Sequence, residues 1–73
     1  MKLGELLLKT RKEKKISQAY ISGISGVSEQ RLSRLERDFT DAYAYELPLI
    51  AKGYDIPLQD LIDAVNKTGR IYR

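Results

Sequence analysis

The sequence predicts an all-α fold, a compact five-helix bundle, and three observations predict it. Apolar residues recur three and four apart along the chain, the spacing of one helical face. Hydroxyl residues, Ser17 and Ser28, stand where two such stretches begin, and a serine there accepts an otherwise unpaired N–H of the first turn. Two prolines, Pro48 and Pro57, belong at a helix start or between helices, because proline breaks a helix interior.

Helix 1 is expected from Lys2 or Leu3 to Lys14, with Leu3, Leu7 and Thr10 on one face, Leu6 at its edge and Leu8 pointing away. Ser17 opens helix 2, about 18–24, where Ile21 and Ile24 share a face and small Ser22 lets a neighbour approach. Gly26 follows where the chain must reverse, a place that favours positive φ, and Val27 fills the corner. Ser28 opens helix 3, about 29–37, with Leu32 and Leu35 turned inward. Residues 38–46 form a loop in which Phe39 plugs the core edge, and of Tyr43 and Tyr45 one faces in and one out. Helix 4 starts at Pro48 and ends near Tyr54; helix 5 covers about 58–65. The expected core is Leu3, Leu7, Ile21, Ile24, Val27, Leu32, Leu35, Leu47, Ile50, Ala51, Tyr54, Ile56, Leu58, Leu61 and Ile62. Residues 1–65 make one domain and 66–73 a basic, polar tail that contains Arg70-Ile71-Tyr72-Arg73.

Composition narrows the chemistry. With 73 residues and 42% apolar content the chain is a single small globular domain. It has neither Cys nor His, so disulfides, thiolate or histidine metal sites and histidine acid–base catalysis are excluded. No paired carboxylates or glycine-rich phosphate loop offer another route, so the expectation is a non-enzyme with no catalytic residues, no metal, no cofactor and no small-molecule ligand. No apolar run approaches a membrane span, and the Leu6–Leu8 run ends in charge, so neither membrane association nor a signal peptide is expected and a cytoplasmic setting fits. The net charge is +3, distributed as a basic front half and a more acidic back half. Lys9, Arg11, Lys12, Lys14 and Lys15 close helix 1, where some complement its own dipole and others suit phosphate.

Residues 16–37 combine these signals. Two short capped helices joined by a tight glycine turn are a helix-turn-helix, whose second helix enters the major groove of DNA. The segment resembles the Cro/repressor-type helix-turn-helix domains of phage and bacterial regulators: Ser17-Gln18 opens helix 2, Gly26-Val27-Ser28 makes the turn, and Arg34-Leu35-Glu36-Arg37 ends helix 3. Leu3-Gly4-Glu5 with Leu7 and Arg11 is similar to the family's first helix. Leu47-Pro48-Leu49-Ile50-Ala51 and Ile56-Pro57-Leu58-Gln59-Asp60-Leu61 are similar to its fourth and fifth, so the likeness covers about residues 3–62. Three residues depart from it: Gly23 inside helix 2, at a cost of about 1 kcal/mol relative to Ala, Ser25 before the turn glycine and Thr10 on helix 1.

Gln30 and Arg34 lie four apart on one face of helix 3. Glutamine can bond adenine bidentately and arginine can bond guanine O6 and N7, so this pair is the expected base reader. Glu29 either accepts from cytosine N4 or favours the positive end of the helix. Arg31 and Ser33 complete the base-reading set as groove or phosphate contacts. Gln18, at the start of helix 2, and Ser28 and Lys12 are expected at phosphates, helix N-termini being anion sites. The resemblance adds Arg37 and Thr40 to the phosphate set and implies an internal ion pair between Arg11 and Glu36. The expected partner is a two-fold symmetric double-stranded DNA operator. It is bound by a weak homodimer that DNA stabilises, with Ile56, Leu58, Ile62 and Val65 at the interface. The alternative is a protein-interaction module, such as an antitoxin.

Overall fold

The computed structural model describes residues 2–68. It contains five helices in order: α1 (Leu3–Lys14), α2 (Gln18–Ser25), α3 (Glu29–Glu36), α4 (Glu46–Tyr54) and α5 (Leu58–Thr68). The strongest packing joins α2 to α4 and α1 to α3, and α5 closes the bundle against α4 and α1. Leu7, Ile21, Leu32, Leu35, Ile50, Tyr54, Leu61 and Val65 are fully buried at its centre. Each of the aliphatic side chains among them contributes about 1.5–3 kcal/mol by leaving water. Among the described residues no helix is long and apolar enough to cross a membrane.

Both serine caps form: Ser17 Oγ accepts from Tyr20 N–H at 3.0 Å and Ser28 Oγ from Arg31 N–H at 3.2 Å. Gly26 ends α2 with φ +77°, the left-handed conformation that glycine adopts without a steric penalty. Lys14 of α1 serves a different helix from the one it closes. Its ammonium donates to the Tyr54 and Asp55 carbonyls at 2.8 and 2.7 Å and so satisfies acceptors left over at the end of α4.

Several expectations are corrected. Helix α4 starts at Glu46, two residues before Pro48. Pro48 is the third helical residue, still in the first turn, where an N–H has no intrahelical partner and its loss costs nothing. Ile24 is 37% exposed, and Ser25 takes the inward place beside Ile21. Gly53 explains why: a Cβ on it would stand 2.9 Å from Ile21 Cγ2 and 3.1 Å from Ser25 Cβ, so α2 and α4 meet too closely for a branched side chain. The buried Ser25 hydroxyl accepts Val27 N–H at 3.1 Å, which offsets its desolvation.

Phe39 is 71% exposed and does not plug the core; its ring carries the Arg37 guanidinium at 4.7 Å, and Ala42 is the loop residue that is buried. Tyr43 and Tyr45 both lie outside and stack on each other, with ring centroids 5.6 Å apart and planes at 11°. Leu58, at the start of α5, is exposed, while Ile56 and Ile62 are half-buried. Val65, assigned above to an interface, is a core residue with 1% exposure. Helix α5 continues past residue 65 to Thr68, and the tail segment Arg70–Arg73 lies outside the described residues.

Gly23 provides a direct test of this packing. A Cβ on it meets nothing within 4 Å, so Gly23→Ala is expected to stabilise the protein by about 0.5–1 kcal/mol through helix propensity alone. A urea midpoint unchanged or lowered in the variant would contradict the open surroundings of this residue.

Candidate nucleic-acid interface

Helix α3 buries Leu32 and Leu35 and turns Glu29, Gln30 and Arg34 to solvent. Gln30 and Arg34 are four residues apart and therefore neighbours on one exposed face. Arg37 follows them, exposed, with its Nε donating to the Ser33 carbonyl at 3.3 Å. Ser33 itself is half-buried.

What holds α3 is a buried carboxylate at each end. At its C-terminal end Glu36 is 5% exposed and receives donors from three other helices. Arg11 Nε of α1 donates to both its oxygens, at 2.8 and 3.1 Å. Gln18 Nε2 of α2 donates to Oε1 at 3.1 Å, and the Tyr54 hydroxyl of α4 to Oε2 at 2.6 Å. Burial pushes the Glu36 carboxyl up, but the bonds from Arg11, Tyr54 and Gln18 outweigh it and hold it below the usual carboxylate range. Burial, and then the bond to Glu36, push the Tyr54 phenol far above its ordinary value.

Near the N-terminal end, Arg31 donates from Nε and Nη2 to the two oxygens of Glu46, both at 2.7 Å, and from Nη2 to the Asp41 carbonyl at 3.0 Å. Glu46 also accepts Tyr43 N–H at 2.8 Å. Burial raises the Glu46 carboxyl, and the bonds from Arg31 and from Tyr43 N–H more than reverse this, so it is also held low. The placement of Arg31 among the base readers is therefore corrected: its forked guanidinium is committed to a buried carboxylate and to the loop. No local signal marked this pair in the sequence, where Glu46 falls at the end of the expected loop: fifteen positions of chain and an irregular loop separate the partners, and no periodicity links them.

The residues expected at phosphates lie around this helix. Ser28 is occupied as an N-cap acceptor, which leaves its own O–H able to donate. Gln18 spends one amide N–H on Glu36 and has a second. Thr40 is half-buried, with its hydroxyl 3.5 Å from Arg31 Nη1, and Lys12 is exposed on α1. Among the described residues no group of three acidic side chains is placed to hold a metal ion.

Two capped helices about a left-handed glycine, with a polar face on the second, define a helix-turn-helix DNA-binding protein. A family model described as helix-turn-helix matches residues 7–61, and the chain belongs to that family, whose Cro/repressor-type members are DNA-binding transcriptional regulators. Among solved structures it is similar to the restriction-modification controller protein C.AhdI from Aeromonas hydrophila, with a TM-score of 0.74 and 24% identity over 81% of this chain and 89% of that one. It is similar to SinR, the master regulator for biofilm formation, solved in complex with DNA, with a TM-score of 0.73 and 27% identity over 84% of this chain and 98% of that one. The clp gene regulator ClgR from C. glutamicum gives 0.74 and 23% over 90% and 86%. Among curated proteins none matches the chain.

Proposed function

We propose that α3 lies in the major groove and reads an operator through Gln30 and Arg34. The observation that carries this reading is that both side chains are exposed on the face of α3 opposite its buried leucines, while buried carboxylates fix the helix at both ends. A recognition helix must be rigid, because base discrimination depends on bidentate geometry. Glu29, beside Gln30 in the first turn, either contacts cytosine or complements the helix dipole. Ser33 is a groove contact at most, being half-buried. Gln18, Ser28, Arg37, Thr40 and Lys12 are the proposed phosphate contacts, which set register without reading sequence. The DNA and its reader meet in the bacterial cytoplasm.

One recognition helix spans too few base pairs to single out a site in a genome. The functional unit is therefore a weak dimer on a two-fold symmetric operator, its half-sites about 34 Å apart. The exposed Leu58 and the half-buried Ile56 and Ile62 are the proposed contacts between copies; the core residue Val65 is not one of them.

Arg34→Ala is expected to weaken operator binding by about 1–3 kcal/mol and to relax preference at one base pair. Selection of bound sites from random duplexes, followed by titration of the variant, tests this. Unchanged affinity and preference in a folded variant would refute it. The symmetry of the selected site and sedimentation of the complex test the dimer, which one chain per complete operator would exclude.

A further inference from the structure

The segment that follows the recognition helix has its own architecture. Its aromatic residues face outward: Tyr45 is 71% exposed, and its ring lies against that of Tyr43. Yet the backbone beneath them is pinned from inside by one ion pair, Arg31 with Glu46. Arg31 donates to the Asp41 carbonyl at 3.0 Å, forks onto Glu46 at 2.7 Å and sits 5.0 Å from the Tyr43 ring centre, while Glu46 takes the Tyr43 N–H at 2.8 Å. The side chain of Glu46 is 5% exposed. Arg31 also points about a quarter-turn away from the Gln30 and Arg34 face, at 100° per residue, so the loop it holds flanks that face.

We propose that Arg31 is a positioning residue for DNA binding. Through its fork to Glu46 it locks residues 40–45 beside the recognition helix, so that this segment, with Tyr45 outermost, forms a second wall against the DNA backbone. A phenol donates to phosphate as other neutral groups do. Arginine suits the anchoring task where lysine does not: its planar fork meets both oxygens of a carboxylate and stacks on an aromatic face, whereas lysine offers one compact charge.

The inference rests on the base-reading proposal, and the two fail differently. An operator is first selected from random-sequence duplexes with the wild-type chain. That duplex and a scrambled one are then titrated over a range of salt with four variants, each checked by circular dichroism: Arg31→Lys, the double variant Arg31→Met/Glu46→Gln, which strands no charge, Tyr45→Phe, and Tyr45→Phe combined with Arg31→Lys. The expected result is about tenfold weaker binding for both Arg31 variants, the scale of one or two lost hydrogen bonds. Salt slope and base preference are expected to stay unchanged, and Tyr45→Phe should have a smaller effect when added to Arg31→Lys than on its own. Should the double variant unfold, Arg31→Lys decides alone, since a phosphate contact would tolerate lysine and a fork would not. Wild-type affinity in the folded Arg31 variants would overturn the proposal. So would a salt slope shallower by about one in the double variant, the mark of a lost phosphate contact, or relaxed preference at a single base pair. If the wild-type chain enriches no duplex, the base-reading proposal and this one fall together.

Discussion

Glu36→Ala is expected to destabilise the protein by about 3–5 kcal/mol, the cost of removing one partner from a buried ion pair. The change leaves the Arg11 guanidinium, the Gln18 amide and the buried Tyr54 hydroxyl without their common acceptor. It thereby loosens α1, α2 and α4 from the recognition helix at once. Because Glu36 is held below its ordinary range, the same pair makes stability depend on pH. A carboxyl whose folded value is depressed contributes stability that is fully present above the unfolded value, about 4.3, and is lost as pH falls through the folded value. Glu46 has the same sign. Stability is therefore expected to be flat near neutrality and to fall below about pH 4.3. In Glu36→Gln the acid fall should become shallower, one of its two buried carboxylates being gone. Urea denaturation across the acid range checks both points; an acid limb identical in wild type and Glu36→Gln would show that Glu36 is not linked to folding.

Gly4→Ala is expected to destabilise by about 1–3 kcal/mol, although alanine is the better helix former by about 1 kcal/mol. The new Cβ would stand 2.5 Å from the Leu35 carbonyl oxygen and 2.7 Å from Asp38 Cγ. The first is backbone and cannot step aside alone. The second belongs to the carboxylate that accepts Gly4 N–H at 3.1 Å and caps an α1 N-terminus that lacks a local side-chain cap. Overpacking and the loss of this bond exceed the gain in propensity. Gly23→Ala has the same chemistry with the opposite sign, since nothing surrounds that position. A Gly4→Ala protein with a raised urea midpoint would show that α1 and α3 can separate without cost.

The five helices and the exposure of Gln30 and Arg34 on α3 were legible in the sequence, and for one reason: each rests on interactions within a few residues. Both serine caps reach three residues ahead, Gly26 meets a local backbone demand, and the leucines of α3 are three apart. The outward direction of Gln30 and Arg34 follows from where those leucines point. The Arg11 and Glu36 pairing came from the family resemblance, and no spacing would have revealed it.

Other features depended on which helix lies against which. Local spacing placed Ile24 with Ile21, and only the close approach of α4 at Gly53 turned Ser25 inward instead. Position on α3 grouped Arg31 with the base readers, and a carboxylate fifteen residues away took it. Phe39 was expected to plug the core edge, and the loop buried the small Ala42 instead. By itself, the sequence determined what short-range hydrogen bonding and helical periodicity can encode: the helices, their turn and the polar face that α3 leaves exposed. The tertiary structure decided which charges were spent inside the protein and which were left for the outside, because a buried carboxylate must take whichever donor the packing brings within reach.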